Sequence, residues 1–254
     1  MRKALVFGVI LIAGGVAPRL RLPRSKPAFA LPALMLWAWE RPENLEFIDP
    51  REAGVAYLAG TLQLRGGEVV AVPRLQPLRI PPATRVMAVV RVESGTSPPP
   101  RLSPEQREQA ASAIVRMASR PGLTATQIDF DAGASERAFY AGLLRDLRRR
   151  LPRGQLLSIT ALASWCLDDD WIAGLPIDEA VPMLFRMGPD DSEVRRRLRT
   201  RRDFQDRACR LSAGVSTDEP LPALPAGRRV YIFHPRPWTA TAATNILRQV
   251  KSWQ

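Results

Sequence analysis

The amino-acid sequence predicts an α/β protein, a single (β/α)8 TIM-type barrel with a β-hairpin extension after its second strand. Eight short apolar or alternating runs follow residue 34, and amphipathic helical patterns separate several of them. Eight such units in about 220 residues match the strand count of this barrel, at the small end of its size range. An open doubly wound sheet is the competing architecture, but the glycine-rich turn that would favour it is missing after the first run.

Each predicted element rests on its own pattern. The eight strands are expected at 34–40, 55–64, 85–93, 125–131, 156–164, 180–187, 211–216 and 229–234. Between the second and third strands, a Gly66-Gly67 turn and a further apolar run replace the expected helix, which predicts the hairpin. The helices are expected at 103–119, which opens on a Ser103/Gln106 capping box, and at 135–151, 191–208 and 241–253.

Residues 1–30 are predicted to be a signal peptide or an N-terminal anchor with a basic linker, ahead of a barrel domain at 31–254. Arg2 and Lys3 precede an apolar stretch from Ala4 to Ala17, the order typical of a secretory signal. At 14 residues this stretch is short for a membrane span. We expect export to the periplasm or cell envelope, with cleavage near Ala30. The alternative is an uncleaved anchor that would associate the chain with the membrane.

The formal charge of +12 invites a nucleic-acid interpretation. Without the six basic residues of the first thirty, however, 31 basic residues stand against 25 acidic ones. Many of the remaining basic residues lie in two arginine runs, 145–150 and 195–202, which are typical of solvated helix faces. Zinc-finger spacing, aromatic RNA-binding signatures and glycine-rich phosphate loops are all missing. We therefore predict no nucleic-acid partner.

Chemistry is expected where the strands end, because barrel enzymes place their sites at the C-terminal ends of the strands. Asp129 and Asp131 end the fourth strand and face the same way, since they alternate with Ile128 and Phe130. Two like charges so close are costly unless something uses them, so both are predicted to be catalytic. The other acids, arginines and aromatic residues of this rim suit a carbohydrate. The predicted substrate-binding residues are Trp39, Glu40, Arg91, Glu93, Trp165, Arg186, His234 and Trp238.

The same residues could instead have purely structural roles. Asp129 and Asp131 could form ion pairs with Arg91 or Arg186. The tryptophans could fill the core, and the single histidine could be a satisfied polar residue. No cofactor and no metal are predicted, because one histidine and the lack of a CxxC motif exclude zinc. The acidic run at 168–170 has two interpretations. It could form an oxygen-only calcium or magnesium site, or it could be a solvated turn with a helix cap at Asp170.

The two cysteines are predicted to stay unpaired. Cys166 follows the fifth predicted strand at the C-terminal rim, whereas Cys209 precedes the seventh at the opposite end. That separation would be too great for a disulfide.

Four stretches carry a resemblance to a known family: "LWAWERPENLEFID", "TQIDFDA", "LLSITALASWCLDDDWI" and "IDEAVPMLFRMGPD". Together they resemble an uncharacterised bacterial family of exported or membrane-attached proteins, catalogued as a domain of unknown function. The resemblance supports the barrel and is silent on the reaction.

More distantly, the order of motifs resembles the chitinase-type glycoside hydrolases, whose fourth strand ends in Asp-x-Asp-x-Glu and whose sixth carries Met-x-Tyr. Gln127, Asp129 and Asp131 occupy the three alternating positions, and Met183 with Phe185 occupy the pair on the sixth strand. Asp131 stands where that family has its glutamate acid, and its side chain is shorter by roughly 1.5 Å.

The sequence therefore predicts an exported carbohydrate-active barrel, a glycoside hydrolase that acts on a polysaccharide or peptidoglycan-type glycan. Asp131 would be the general acid, its pKa raised by the charge of Asp129, which would orient the substrate or stabilise developing positive charge. Arg186 and Trp238 would position the sugar. The alternative is a non-catalytic glycan-binding or envelope scaffold protein on the same fold.

Overall fold

The structure, a computed structural model, describes residues 31–167, 169–200, 203–222 and 224–251. Its strands in chain order are β1 (Leu34–Ala38), β2 (Glu43–Asn44), β3 (Ala53–Arg65), β4 (Glu68–Pro73), β5 (Leu78–Arg79), β6 (Val86–Ser94), β7 (Leu123–Asp129), β8 (Leu156–Leu162), β9 (Glu179–Met183), β10 (Ser212–Ser216) and β11 (Arg229–Phe233). The helices are α1 (Pro104–Met117), α2 (Arg137–Arg150), α3 (Asp191–Arg199) and α4 (Ala240–Lys251).

Eight parallel strands close into a barrel, in the order β1, β3, β6, β7, β8, β9, β10 and β11. The pairing of the first strand shows that the barrel is closed, because β1 pairs in parallel with β3 on one side and with β11 on the other. The (β/α)8 class is therefore confirmed, and each predicted strand has a counterpart within a few residues. The predicted signal peptide or anchor lies outside the described residues.

The predicted hairpin extension is also present. β3 runs on beyond the barrel, turns at Gly66, whose φ is +51°, and returns as the antiparallel β4. α1 holds this turn through Gln106, whose amide nitrogen donates to the carbonyls of Gly66 (3.1 Å) and Glu68 (2.8 Å). The same residue accepts a hydrogen bond from the N–H of Leu102, while its own N–H donates to Ser103 Oγ. The predicted capping residue thus also joins the hairpin to the barrel.

The helical layer is less regular than the ideal fold. Two 3-10 turns, Ala163–Cys166 and Asp170–Ile172, follow β8 in place of a long helix. α3 ends at Arg199, short of the predicted 191–208, because the polar residues beyond it favour turns. Asp203 accepts from the N–H of Phe204, and Asp206 accepts from the N–H of Ala208, both at 2.7 Å. In the described part of the chain, no helix combines the length and apolar character needed to cross a membrane.

Two apolar layers stabilise the barrel. The larger lies between the strands and the helices and includes the buried Ile128 and Phe130. The smaller fills the barrel and includes Met35, Trp37 and Tyr231. Because Ile128 and Phe130 pack outside, the intervening positions of β7 point inward, as predicted.

Below this inner layer, buried polar side chains are linked by hydrogen bonds. Glu179 accepts from the hydroxyls of Tyr231 (2.6 Å) and Ser158 (3.3 Å) and is paired with Arg229. Ser158 in turn accepts from the amide of Gln127 at 3.1 Å. The N-terminal half of the barrel is thus closed by polar groups that satisfy one another.

The prediction of two unpaired cysteines is wrong, because Cys166 and Cys209 form a disulfide with a Cα–Cα distance of 5.9 Å. Cys166 ends the 3-10 turn after β8, and Cys209 lies in the 3-10 turn Ala208–Arg210 before β10. Both turns fold over the outer face of β9, a strand of only five residues, and both cysteines are buried in the outer layer. The two ends of this short strand are therefore close enough for the thiols to meet.

Candidate functional site

A cleft of about 270 Å³ opens at the C-terminal ends of the barrel strands. β6, β7 and β8 supply a polar wall that contains the predicted catalytic pair Asp129 and Asp131. β1, β11 and the segment after β9 supply an aromatic wall. β7 and β11 are four strands apart in the eight-stranded order, so the two walls face each other.

Asp129 is held between two neighbouring strands. Arg91 on β6 is in register with Asp129, and Thr160 on β8 donates a hydrogen bond of 2.7 Å to Oδ1 of Asp129. Burial raises the pKa of Asp129 to about 6, and the charge of Asp131 adds to the rise, whereas Thr160 and Arg91 oppose it. This carboxyl group can therefore gain or lose a proton near the middle of the ordinary pH range.

Asp131 lies just beyond the end of β7, exposed, and lines the same cleft. Its pKa is also raised: although the residue as a whole is exposed, its carboxyl group is partly enclosed by protein atoms, and this burial outweighs the opposing charge of Arg91. The sequence predicted that the charge of Asp129 would raise this pKa, so the main cause differs from the prediction. The pKa values of both neighbouring carboxyl groups are therefore raised above the ordinary value of an aspartate.

The structural ion pairs considered for these acids are not formed within the described residues. Arg91 pairs with Glu93 at 3.1 Å, and the ion-pair partner of Arg186 is Asp218 at 3.9 Å. Glu93, Arg91 and the two aspartates also line a second groove that adjoins the cleft. The predicted residues Arg91 and Glu93 therefore lie beside the carboxyl pair, and Arg186 lines the same cleft.

The aromatic wall consists of three rings. Phe185 and Phe233 stack with parallel planes, 2° apart, at a centroid distance of 5.8 Å. The half-buried Trp39 meets Phe233 edge-on at 6.4 Å. Arg186 lies over the same phenyl ring, its guanidinium carbon 5.2 Å from the centroid. Flat apolar faces of this kind suit the apolar face of a sugar ring.

Trp37 forms the floor of the cleft. Its indole N–H donates to Gln127 Oε1 at 3.0 Å, and its ring packs against Tyr231 with centroids 5.3 Å apart. Gly214 on β10 makes room for this ring, since a Cβ there would lie 2.8 Å from the indole Cη2. Hydrogen bonding and packing therefore fix the indole in one orientation.

Three predicted substrate-binding residues do not line the cleft. Trp165 is 4% exposed and packs edge-on against Trp171, with centroids 4.8 Å apart. Trp238 is 4% exposed, donates from Nε1 to the carbonyl of Trp37 at 2.9 Å, and packs against His234. His234 is itself buried, with Nδ1 2.5 Å from Thr217 Oγ1. The structural interpretation holds for all three, because each side chain is enclosed by protein groups.

Glu40 is a fourth departure from the predicted site. Its side chain is exposed outside the cleft and accepts a hydrogen bond of 3.4 Å from Thr61 on β3. Trp37 and Trp39 face the cleft, whereas Leu36 and Ala38 pack outside, so strand alternation places Glu40 on the outer side.

Several cleft residues were not among the predicted site residues. Phe233 could have been found, because it lies two positions after the inward-facing Tyr231 and therefore shares its face. Thr160 follows from the same alternation on β8. Asp190, at the start of α3, had no such signal, because its position depends on the loop after β9.

The acidic run at 168–170 gives no support for a metal site. Asp168 lies outside the described residues. Asp169 pairs with Arg137 at 2.7 Å and accepts from the N–H of Trp171, so it is the helix cap predicted for Asp170. Among the described residues, no group of three histidine, cysteine or acidic side chains could hold a metal ion.

The solved structures that match this chain include two distant likenesses. No family model and no curated protein matches the chain, so the predicted family resemblance stays a prediction. The crystal structure of the spore cortex-lytic enzyme SleL of Bacillus cereus matches 74% of this chain and 51% of its own, with 18% identity and a TM-score of 0.47. The chitinase domain of the spore coat protein CotE of Clostridium difficile matches 67% of this chain and 53% of its own, with 15% identity and a TM-score of 0.42. This chain thus spans about half the length of each, and likenesses at this level do not bear on its activity.

Proposed function

We propose that this chain is a carbohydrate-active barrel, a glycoside hydrolase that acts on a polysaccharide or peptidoglycan-type glycan. One observation carries the proposal: two carboxyl groups with raised pKa values face an aromatic wall across a single cleft. Acids and flat aromatic faces are the groups that glycosidic hydrolysis and sugar binding need.

The two carboxyl groups suit different roles. Asp131 is exposed in the cleft, so it donates the proton that the leaving glycosidic oxygen requires. Asp129 lies deeper and is fixed by Thr160, so it stabilises the positive charge that develops at the anomeric carbon. Water completes the reaction: its hydroxyl group bonds to the anomeric carbon, and its proton replaces the one that Asp131 gave up.

The cleft also explains how a sugar would be held. Phe185, Phe233 and Trp39 offer apolar contact opposite the acids, and Trp37 closes the floor. A ring that packed on this wall would face Asp129 and Asp131 across the cleft. Binding and proton transfer would therefore take place in the same cleft.

Export to the periplasm or cell envelope is part of the proposal, directed by residues 1–30. The buried disulfide between Cys166 and Cys209 supports it, because disulfides persist in oxidising compartments and are rare in the cytosol of most organisms.

A glycan-binding barrel without turnover is the second candidate. It is favoured by the short side chain of Asp131, because general acid catalysis requires hydrogen-bond distance to the glycosidic oxygen. The same cleft would then bind a glycan without cleaving it.

The test uses the full-length chain with chitin oligosaccharides, peptidoglycan glycan strands and uronic acid polymers. Release of reducing ends and binding by calorimetry are measured together. We expect cleavage of one substrate class, and a loss of roughly 100-fold or more in turnover for Asp131→Asn. Glu46→Gln, which removes an exposed carboxylate outside the cleft, serves as the control and should leave turnover unchanged. Binding without reducing ends would identify the second candidate, and neither cleavage nor binding would leave an envelope scaffold.

A further inference from the structure

Arg186 is placed at the cleft mouth by constraints on both its backbone and its side chain. Its φ is +52°, and among the described non-glycine residues only Leu102 shares such a positive value. The left-handed conformation is unfavourable for a residue with a Cβ, so it persists only where the surroundings impose it. Here the backbone N–H of Arg186 donates to Glu219 Oε1 at 2.9 Å, and the guanidinium group lies over Phe233.

The guanidinium group itself keeps its hydrogen-bonding capacity. Its ion-pair partner, Asp218, stands 3.9 Å from Nη2, beyond the length of a hydrogen bond. Asp218 instead accepts from Ser216, and the Arg186 side chain is 60% exposed. Within the described residues, the only hydrogen bond that Arg186 donates from a nitrogen is the one from its backbone. A guanidinium group that packs on an aromatic ring keeps its in-plane N–H groups available for a planar anion.

We infer that Arg186 binds a carboxylate carried by the glycan, so that the substrate is an acidic polysaccharide. The inference rests on the proposed function and specifies its substrate class. Arginine forms bidentate, charge-assisted hydrogen bonds with carboxylates, whereas a sugar hydroxyl needs no cation. Uronic acids and amino sugars with a carboxyl-bearing ether share this chemistry.

The position of Arg186 also separates the substrate carboxylate from the catalytic one. Asp131 follows β7 on the polar wall, whereas Arg186 lies over Phe233 of β11 on the facing wall. Arg186 would therefore hold the acidic substituent on the aromatic side, across the cleft from the two aspartates. The sugar backbone between the walls would then present its glycosidic oxygen to the acids.

The experiment compares matched pairs of glycans. One pair is a peptide-free peptidoglycan tetrasaccharide and the same molecule with its carboxyl groups reduced to alcohols. The other is a tetramer of galacturonic acid and its carboxyl-reduced form. Calorimetry at pH 7 gives the dissociation constants for the full-length wild type, Arg186→Gln and Arg186→Lys. Arg236→Gln, which removes an exposed arginine near the same rim, is the matched control.

We expect the carboxylate form of one pair to bind roughly tenfold or more tightly than its reduced form. Arg186→Gln should abolish this preference, so that both forms bind equally, while Arg186→Lys keeps part of it and Arg236→Gln keeps all of it. The pair that shows the preference identifies the source of the carboxylate.

Equal binding of both forms in both pairs, or a preference that survives Arg186→Gln, would overturn the inference. Cleavage of a glycan without any carboxylate preference would remove this inference and leave the proposed function standing. A carboxylate preference without cleavage would support the role of Arg186 in binding the carboxylate, and it would exclude glycoside hydrolysis as the function. Thermal melts establish that each variant is folded.

Discussion

Thr160 on β8 donates a hydrogen bond of 2.7 Å to Asp129 on β7, and this bond opposes the burial of the acid. Burial disfavours the charged carboxylate, while the hydroxyl group stabilises it. The pKa of Asp129 is about 6, so burial has the larger effect. The hydroxyl group of Thr160 therefore keeps the pKa of Asp129 below the value that burial alone would give.

Substitution of Thr160 by valine should raise the pKa of Asp129 above its value of about 6, because the charged form loses its donor. A rise on the order of one pH unit is expected for one such bond. Carboxyl titration by NMR measures it directly. Thr61→Val, which removes a hydroxyl group bonded to the exposed Glu40, is the control. An unchanged pKa of Asp129 in Thr160→Val would contradict the account.

Asp129→Asn should stabilise the protein at neutral pH. A folded-state pKa above the unfolded value means that the native state binds the extra proton, so this group lowers stability as pH rises from about 4 to 6. The variant should be more stable than the wild type by roughly 1–3 kcal/mol at pH 7, and the difference should vanish near pH 4. Urea denaturation across this range measures it.

The exposed Asp170 supplies the control for that series, since Asp170→Asn should change the free energy of unfolding by less than about 0.5 kcal/mol at either pH. Destabilisation of Asp129→Asn at pH 7 would instead indicate a structural role for the carboxylate.

Gly214→Ala should disturb the floor of the cleft. The new methyl group would lie 2.8 Å from the indole of Trp37, which Gln127 and Tyr231 hold in place. Overpacking of this kind costs roughly 1–3 kcal/mol, and a melting temperature several degrees lower should accompany a change in tryptophan fluorescence. Gly67→Ala is the matched control, because its Cβ would meet Arg101 at an ordinary 3.5 Å. Equal melting temperatures for both variants would refute the packing argument.

The cysteines should be unreactive toward thiol reagents after denaturation, and two thiols per chain should appear only after reduction. Replacement of both Cys166 and Cys209 by alanine should lower the free energy of unfolding by about 3–4 kcal/mol, given a sequence separation of 43 residues. Reductant should destabilise the wild type and leave the double variant unaffected. Free thiols in the unreduced protein would show that the two turns do not meet over β9.

Cell fractionation tests export. The basic start and apolar stretch of residues 1–17 predict that the chain accumulates outside the cytoplasm, in the periplasmic or envelope fraction. Deletion of residues 2–17 should retain it in the cytosol. Full-length protein that stays cytosolic with an intact N-terminus would end this part of the proposal.

The carboxylate pair could be predicted from the sequence because its placement depends on local alternation. Ile128 and Phe130 are apolar and pack outward, so the aspartates between and after them face the cleft. Phe233 was accessible to the same reasoning. Eight such runs in series matched the strand count of the closed barrel, and the missing glycine-rich turn counted against an open sheet.

The roles of the tryptophans depend on depth and on turn geometry, which alternation does not encode. Trp37 and Trp39 share a face, yet one is the floor of the cleft and the other part of its wall. Trp165 lies in a 3-10 turn, and no periodicity indicates whether such a turn points into the cleft or the outer layer. The Cys166–Cys209 bond depends on two turns of this kind, so it was out of reach for the same reason.

Trp37 and the polar side chains beneath it leave the barrel with a single opening. Glu179, Arg229 and Tyr231 fill its lower end, so nothing that enters the cleft can pass through. A polymeric ligand would enter and leave through this one mouth, and the units that the two walls do not hold would stay in solvent. The length of such a polymer is therefore not limited by the dimensions of the barrel, and it can join or leave sideways without threading an end.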